Sequence, residues 1–227
     1  MHLVIVAVAL IALIVGPGMW VKSVMQRYRE PANRYAKTGG QVARELLDSL
    51  ALHDVLTEAT EKGDHYDPQA RAVRLSADNF NGRSLTAIAV AAHEVGHAIQ
   101  DARGFRPLKW RTRLVHWVSP IEKLGAGMLM VSPFTAIATQ SRAFAILTFF
   151  AGLMTLGSSV AVHALTLPTE FDASFVRALP LIEQRGILRP DDKSRARRLL
   201  TAAALTYVSS ALQSLLNIAR WWSILRR

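Results

Sequence analysis

Cysteine is absent from the 227-residue sequence. Its absence excludes disulfide bonds and thiolate ligands, so any zinc ion would have to be held by histidine or carboxylate side chains. Charged residues are also missing from several long apolar runs, although they are dense between those runs. This distribution is typical of membrane proteins with polar loops.

Acidic residues are in the minority, since 17 Asp and Glu stand against 27 Lys and Arg, for a formal net charge of +10. In a soluble protein such an excess would suggest nucleic-acid binding. Here many basic residues flank apolar runs, where they set topology and meet anionic headgroups. We therefore expect a lipid bilayer, and not nucleic acid, as a partner.

The uncharged runs predict four membrane spans. A basic cluster follows the first run and none precedes it, which favours an uncleaved anchor with the next section in the cytoplasm. The predicted fold class is mainly α, a multi-span helical membrane protein with a small β-strand element. Its predicted parts are an N-terminal anchor (1–21), a polar domain (22–123), a hairpin of two transmembrane helices (124–167), a second polar segment (168–198), and a C-terminal transmembrane helix with a basic tail (199–227).

Local patterns predict the elements of the first polar domain. The apolar spacing between Gly40 and Leu52 indicates a helix. The segment Asp64–Pro68 is typical of a turn, and Ala72–Ser76 of a short strand. Ser84 stands at the N-cap position of a helix that continues to Asp101.

The strongest chemical signal is the segment His93-Glu94-Val95-Gly96-His97 on that helix. Residues four apart share a helix face, so both imidazoles can reach one metal ion. Glu94 can then act as general base toward a water molecule activated by zinc. The competing interpretation, two hydrogen-bonded core histidines, would leave buried polar groups that are costly without a metal.

A third ligand must come from elsewhere, since catalytic zinc usually has three protein ligands. The three-histidine metzincin pattern is excluded, because Gln100 and Arg103 occupy the positions where it requires Gly and His. We favour Glu170, at the start of a predicted helix, because two predicted spans return the chain to the same membrane face. Weaker candidates are Glu122, Glu183, His116 and His163.

The whole order of segments resembles a known family. The matching stretches are Asp64–Pro68, Val73–Ser76, Ser84–Leu85, Ala91–Gln100, Leu165–Pro168, Glu170–Ser174 and Leu200–Val208. In these stretches the chain is similar to the bacterial neutral zinc metallopeptidase family, membrane proteases of the YugP type.

The resemblance implies a gluzincin-like site in a multi-pass protein of the bacterial inner (cell) membrane. It implies that His93, His97 and Glu170 hold one zinc ion per chain, that Glu94 is the catalytic base, and that Asp172 orients a ligand. The expected activity is hydrolysis of peptide bonds in a peptide or protein substrate, with the catalytic section in the cytoplasm.

Two other functions remain open at this point. An intramembrane zinc protease would use the apolar run Leu85–Ala92, although Arg83 and Asp101 bracket a segment that is short for a span. A non-catalytic zinc-binding membrane scaffold or transporter would need the ligands but not Glu94.

Substrate contacts are less determined by the sequence. The strand Val73–Ser76 could be an edge along which an extended peptide lies, or it could only cover the site helix. An oxyanion donor is expected, for which Arg177 and His163 are guesses.

Overall fold

The computed structural model describes residues 2–206 together with 208, 209 and 212. They fall into two compact units. The first takes its described residues from Met1–Met19, Trp110–Thr166 and Tyr207–Arg227, and the second comprises Trp20–Lys109 and Leu167–Thr206. In chain order the elements are α1 (His2–Arg27), α2 (Gly39–Asp48), β1 (Leu56–Thr60), β2 (His65–Asp67), β3 (Ala72–Ser76), α3 (Ala77–Asn81), α4 (Leu85–Ala102), α5 (Arg106–Thr139), α6 (Arg142–Phe171), a π-helix (Asp172–Ala178), α7 (Leu179–Gln184), a 3₁₀ turn (Pro190–Asp192) and α8 (Lys193–Ala204).

The predicted multi-span membrane fold is wrong. Within the described part of the chain, none of the helices combines the length and the apolar character that crossing a bilayer requires. The prediction rested on missing charge, and in the run 124–138 the apolar residues are interrupted by Gly, Ser, Thr and Pro. Most of the last predicted span, at 207, 210, 211 and from 213 onward, lies outside the described residues. The mainly helical class with a small sheet is confirmed.

Helix α4 forms the centre of the second unit. Ser84 caps it as predicted, since its hydroxyl accepts a hydrogen bond from the Ala87 N–H at 3.2 Å. Every residue from Leu85 to Gln100 is buried. The helix packs against α2, β3, α8 and the π-helix. A helix that is apolar on nearly every side needs such complete cover.

The sheet has three strands in the order β1-β3-β2. Strand β3 pairs in parallel with β1 and antiparallel with β2. The predicted strand Ala72–Ser76 is therefore confirmed, but as an edge for a peptide it is wrong, because both of its sides are already paired. The predicted turn at 64–68 is also wrong, since His65–Asp67 forms β2.

A buried ion pair joins the segment after α1 to the start of α8. Arg34 donates to both carboxylate oxygens of Asp192, from Nε at 2.5 Å and from Nη2 at 2.8 Å. Tyr35 Oη and Arg195 Nη1 also donate to this carboxylate, at 2.7 and 3.0 Å. Burial alone would raise the pKa of Asp192, but the hydrogen bonds from these three residues outweigh it and hold the pKa below its usual value.

We expect Asp192→Asn to lower the free energy of unfolding at neutral pH by about 3 kcal/mol, because it removes the buried carboxylate and leaves Arg34 only its ion pair with the exposed Asp191. Since folding depresses the pKa of Asp192, its stabilisation is complete above the unfolded pKa of about 3.9 and is lost as the pH falls through the folded value. Urea unfolding from neutral to acid pH should show this loss in the wild type and not in the variant.

The matched control is Asp48→Asn, which removes a carboxylate that is 48% exposed and paired with Arg44. An exposed pair contributes less than about 1 kcal/mol, so this variant should unfold nearly like the wild type. Equal losses in the two variants would contradict a special role for the buried pair.

Candidate metal centre

Helix α4 places His93 and His97 one turn apart on the same face, as the four-residue spacing requires. Both side chains are buried, and their ring centroids are 4.7 Å apart. The histidines lie in the second unit beneath the π-helix, which packs on α4. The pair therefore sits inside the protein and not on an exposed helix face.

Glu170 brings a carboxylate to both imidazoles. Its Oε2 lies 3.2 Å from Nε2 of His93 and 3.2 Å from Nε2 of His97. The prediction that Glu170 opens a helix is wrong, because the residue lies in the last turn of α6, which continues through Pro168. Glu170 contacts both histidines directly, so its place in the site does not depend on the counting of membrane spans.

The three residues form a group that could hold a metal ion, since one ligand atom from each lies within 4.8 Å of the others. Of the weaker candidates, Glu183 is exposed on α7 and is not part of this group. The side chains of Glu122, His116 and His163 lie outside the described part of the structure.

Ser174 fixes the tautomer of His93. The Ser174 hydroxyl donates to the carbonyl of Leu200 at 3.1 Å. Its oxygen lies 2.9 Å from His93 Nδ1. Because the single hydroxyl hydrogen is used on Leu200, Nδ1 of His93 must carry a hydrogen and donate it to Ser174. When the ring is neutral, its lone pair is therefore on Nε2, the nitrogen that lies 3.2 Å from Glu170 Oε2.

Gln100 fixes the tautomer of His97 in the same way. Its Nε2 donates to the carbonyl of Thr169 at 2.8 Å and to Asp172 Oδ2 at 2.7 Å. Both amide hydrogens are thereby used, so Oε1 is the atom that lies 2.9 Å from His97 Nδ1 and accepts its hydrogen. In the neutral ring the lone pair of His97 is on Nε2, the nitrogen that lies 3.2 Å from Glu170 Oε2. A metal-binding histidine usually has such a partner on its other nitrogen.

Gln100 and Ser174 were not predicted as site residues. The sequence signal that could have identified Gln100 was a polar residue one turn after His97 on a helix with a buried apolar face. Asp172, which the resemblance suggests as an orienting residue, contacts Gln100 and not a histidine. Arg177, a guessed oxyanion donor, donates from Nε to Asp172 at 2.6 Å and lies over the Phe105 ring.

The π-helix explains why Asp172 and Arg177 meet. In an α-helix the neighbours on one face are three or four residues apart. These two residues are five apart, which matches the i to i+5 repeat of a π-helix. The backbone shows this repeat, since the Leu179 N–H donates to the carbonyl of Ser174.

Gly96 sets the distance between α4 and the π-helix. A Cβ atom at this position would lie 2.5 Å from the carbonyl oxygen of Ala173. Real Cβ atoms do not approach so closely, and the obstacle is backbone, which cannot turn aside. Glycine at 96 therefore allows the close packing that places Ser174 beside His93.

The donor set fits zinc. Two imidazole nitrogens and one carboxylate oxygen converge, and this is a common set of protein ligands in catalytic zinc sites, which keep a fourth position open. Glu94 follows His93 directly and is 6% exposed. A buried carboxylate next in sequence to a metal-ligand candidate is a residue type suited to proton transfer.

We expect Gly96→Ala to destabilise the protein by about 1–3 kcal/mol, the usual cost of overpacking. Helix propensity alone would favour alanine by up to about 1 kcal/mol, so the clash decides the sign. Thermal unfolding measures the change. The control is Gly127→Ala in α5, where an added Cβ would have nothing within 4 Å; a similar loss in the control would contradict the packing explanation.

Comparison with known proteins agrees with this geometry. A family model described as "Putative neutral zinc metallopeptidase" matches residues 3–226. The chain is 36% identical over 203 residues to the "Putative membrane protease YugP" of Bacillus subtilis (strain 168), covering 88% of this chain and 86% of that protein. No solved structure matches the chain. The chain belongs to the neutral zinc metallopeptidase family.

Proposed function

We propose that the protein is a zinc-dependent peptidase, with His93, His97 and Glu170 as metal ligands and Glu94 as general base. The observation that supports this most directly is the convergence of both Nε2 atoms on Glu170 Oε2 at 3.2 Å. The hydrogen bonds from Nδ1 to Ser174 and Gln100 add support, because they leave both Nε2 lone pairs available. The family description supports zinc and peptidase chemistry.

A zinc ion at this site would supply Lewis-acid polarisation of the substrate carbonyl and a lower pKa for a water molecule. The chain supplies the proton transfers. Glu94 takes a proton as water attacks the peptide carbonyl, and it returns a proton to the amine that leaves. The surrounding helices bury the site, and a low dielectric strengthens each of these interactions.

The net charge of the chain and the name of a similar protein support a location at a membrane. The similar Bacillus subtilis protein is named a membrane protease. The net charge of +10 suits a surface of anionic headgroups. We propose a location at the bacterial cell membrane and a peptide or protein substrate. Cell fractionation is the test: recovery with membranes is expected, and recovery in the soluble fraction would contradict it.

The metal is tested by elemental analysis of the purified protein, with about one zinc expected per chain. His93→Ala and His97→Ala should each lose most of the zinc, because each removes a ligand. The control is His53→Ala, which removes a histidine whose side chain is 71% exposed and which pairs with Asp48. Full zinc retention in both site variants would rule out this centre.

Glu94→Gln and Glu170→Gln separate the base from the ligand. Glu94→Gln should keep zinc and lower peptide hydrolysis about 10²- to 10⁴-fold, the usual contribution of a general base. Glu170→Gln should lose both zinc affinity and hydrolysis, because a neutral amide replaces an anionic ligand. Zinc binding by a wild type that hydrolyses no peptide would favour a non-catalytic zinc protein, and loss of zinc in Glu94→Gln would contradict its assignment as base.

A further inference from the structure

We propose that Gln100 is a positioning residue for the metal centre, and that the Asp172–Arg177 pair holds its amide in the orientation that makes His97 a ligand. This inference rests on the proposed function, since it concerns how the same site binds zinc. The buried Gln100 amide can adopt two orientations, and only one of them lets His97 bind the metal.

In the observed orientation the Gln100 carbonyl oxygen accepts from His97 Nδ1. If the amide were turned over, its NH₂ group would face Nδ1, and His97 would have to carry its hydrogen on Nε2. An imidazole with hydrogen on Nε2 has no lone pair there for a metal. The orientation of Gln100 therefore decides which nitrogen of His97 can bind zinc.

Two acceptors oppose the turned-over amide. The Gln100 NH₂ group donates to the Thr169 carbonyl and to Asp172 Oδ2. After a turn its carbonyl oxygen would face both of these oxygens, and a buried acceptor that faces only acceptors is costly. Gln100 is fully buried, so water does not relieve that cost. Thr169 and Asp172 together select the metal-binding orientation.

Arg177 holds Asp172 in place. Its side chain is only 9% exposed, donates from Nε to Asp172 Oδ2 at 2.6 Å, and lies with Cζ 5.2 Å from the centroid of the Phe105 ring. Its Nη1 is buried and has no hydrogen-bond acceptor among the described residues. A buried donor left unsatisfied lowers stability, so stability alone does not explain this placement. The placement of Arg177 is explained by its effect on Asp172, whose carboxylate it orients toward Gln100.

The test measures zinc affinity by competition with a chromophoric chelator, together with the visible spectrum of the Co²⁺-loaded protein. We expect Gln100→Met, which has similar size but only a weakly accepting sulfur in place of the amide oxygen, to weaken zinc binding about 10- to 100-fold and to alter the Co²⁺ spectrum. Asp172→Ala should weaken it in the same direction, because one of the two oxygens that select the amide orientation is lost.

Asp172→Asn is the conservative variant. Its amide oxygen can accept from both Gln100 and Arg177, so zinc affinity and the Co²⁺ spectrum should stay close to those of the wild type. Thr86→Val is the matched control on α4, since it removes a buried hydrogen bond to the Met25 carbonyl at a site away from the histidines. It should lower the unfolding temperature without changing zinc affinity.

Three results would overturn the proposal. One is wild-type zinc affinity and an unchanged Co²⁺ spectrum in Gln100→Met. Another is equal weakening in Asp172→Asn and Asp172→Ala, which would assign the effect to charge and not to hydrogen bonding. The third is a wild type that binds no zinc, in which case the proposed function fails as well. If either of the first two results is found while the wild type binds zinc, the proposed function still holds. The two Asp172 variants keep the test decisive even if Gln100→Met does not fold.

Discussion

The candidate metal centre depends on how closely α4 approaches the π-helix at Gly96. The missing side chain at this position lets the Ala173 carbonyl lie where a Cβ atom would otherwise be. The two histidines flank Gly96 on α4, and Ser174 follows Ala173 in the π-helix. One backbone contact therefore sets the distance between α4, which carries both imidazoles, and the π-helix, which contains Ser174.

The π-helix then determines which side chains of that segment meet. Its i to i+5 repeat joins Asp172 to Arg177, and Asp172 accepts from Gln100. Ser174 in the same helix reaches His93 and the Leu200 carbonyl of α8. His93 Nδ1 is thus bonded to the π-helix, and His97 Nδ1 to Gln100 of α4, whose amide donates to Asp172 of the π-helix. Irregular helices of this kind are often found at functional sites, and here the irregularity positions the groups that orient the two imidazoles.

The site is assembled from parts of the chain that are far apart. His97 and Glu170 are separated by 73 residues, and α5 and most of α6 lie between them. Both partners belong to the second compact unit, which closes around α4. Small residues on α4, among them Ala89, Ala92 and Ala98, are fully or almost fully buried. They allow neighbouring elements to pack closely while the helix carries three buried polar groups at its centre.

The sequence by itself determined the local features: the capped helix from Ser84, the strand at Ala72–Ser76, the histidine pair and its neighbouring carboxylate. These follow from spacing and capping, which act within a few residues. Glu170 was predicted from the counting of spans that were themselves wrong, and the family resemblance implied it as well. The membrane spans that the uncharged runs predicted were wrong. Only the tertiary structure decided that β3 lies between two strands, that Gln100 and Ser174 fix the histidine tautomers, and that a π-helix joins Asp172 to Arg177. These features depend on contacts between distant segments, and local pattern carries no information about how such segments meet.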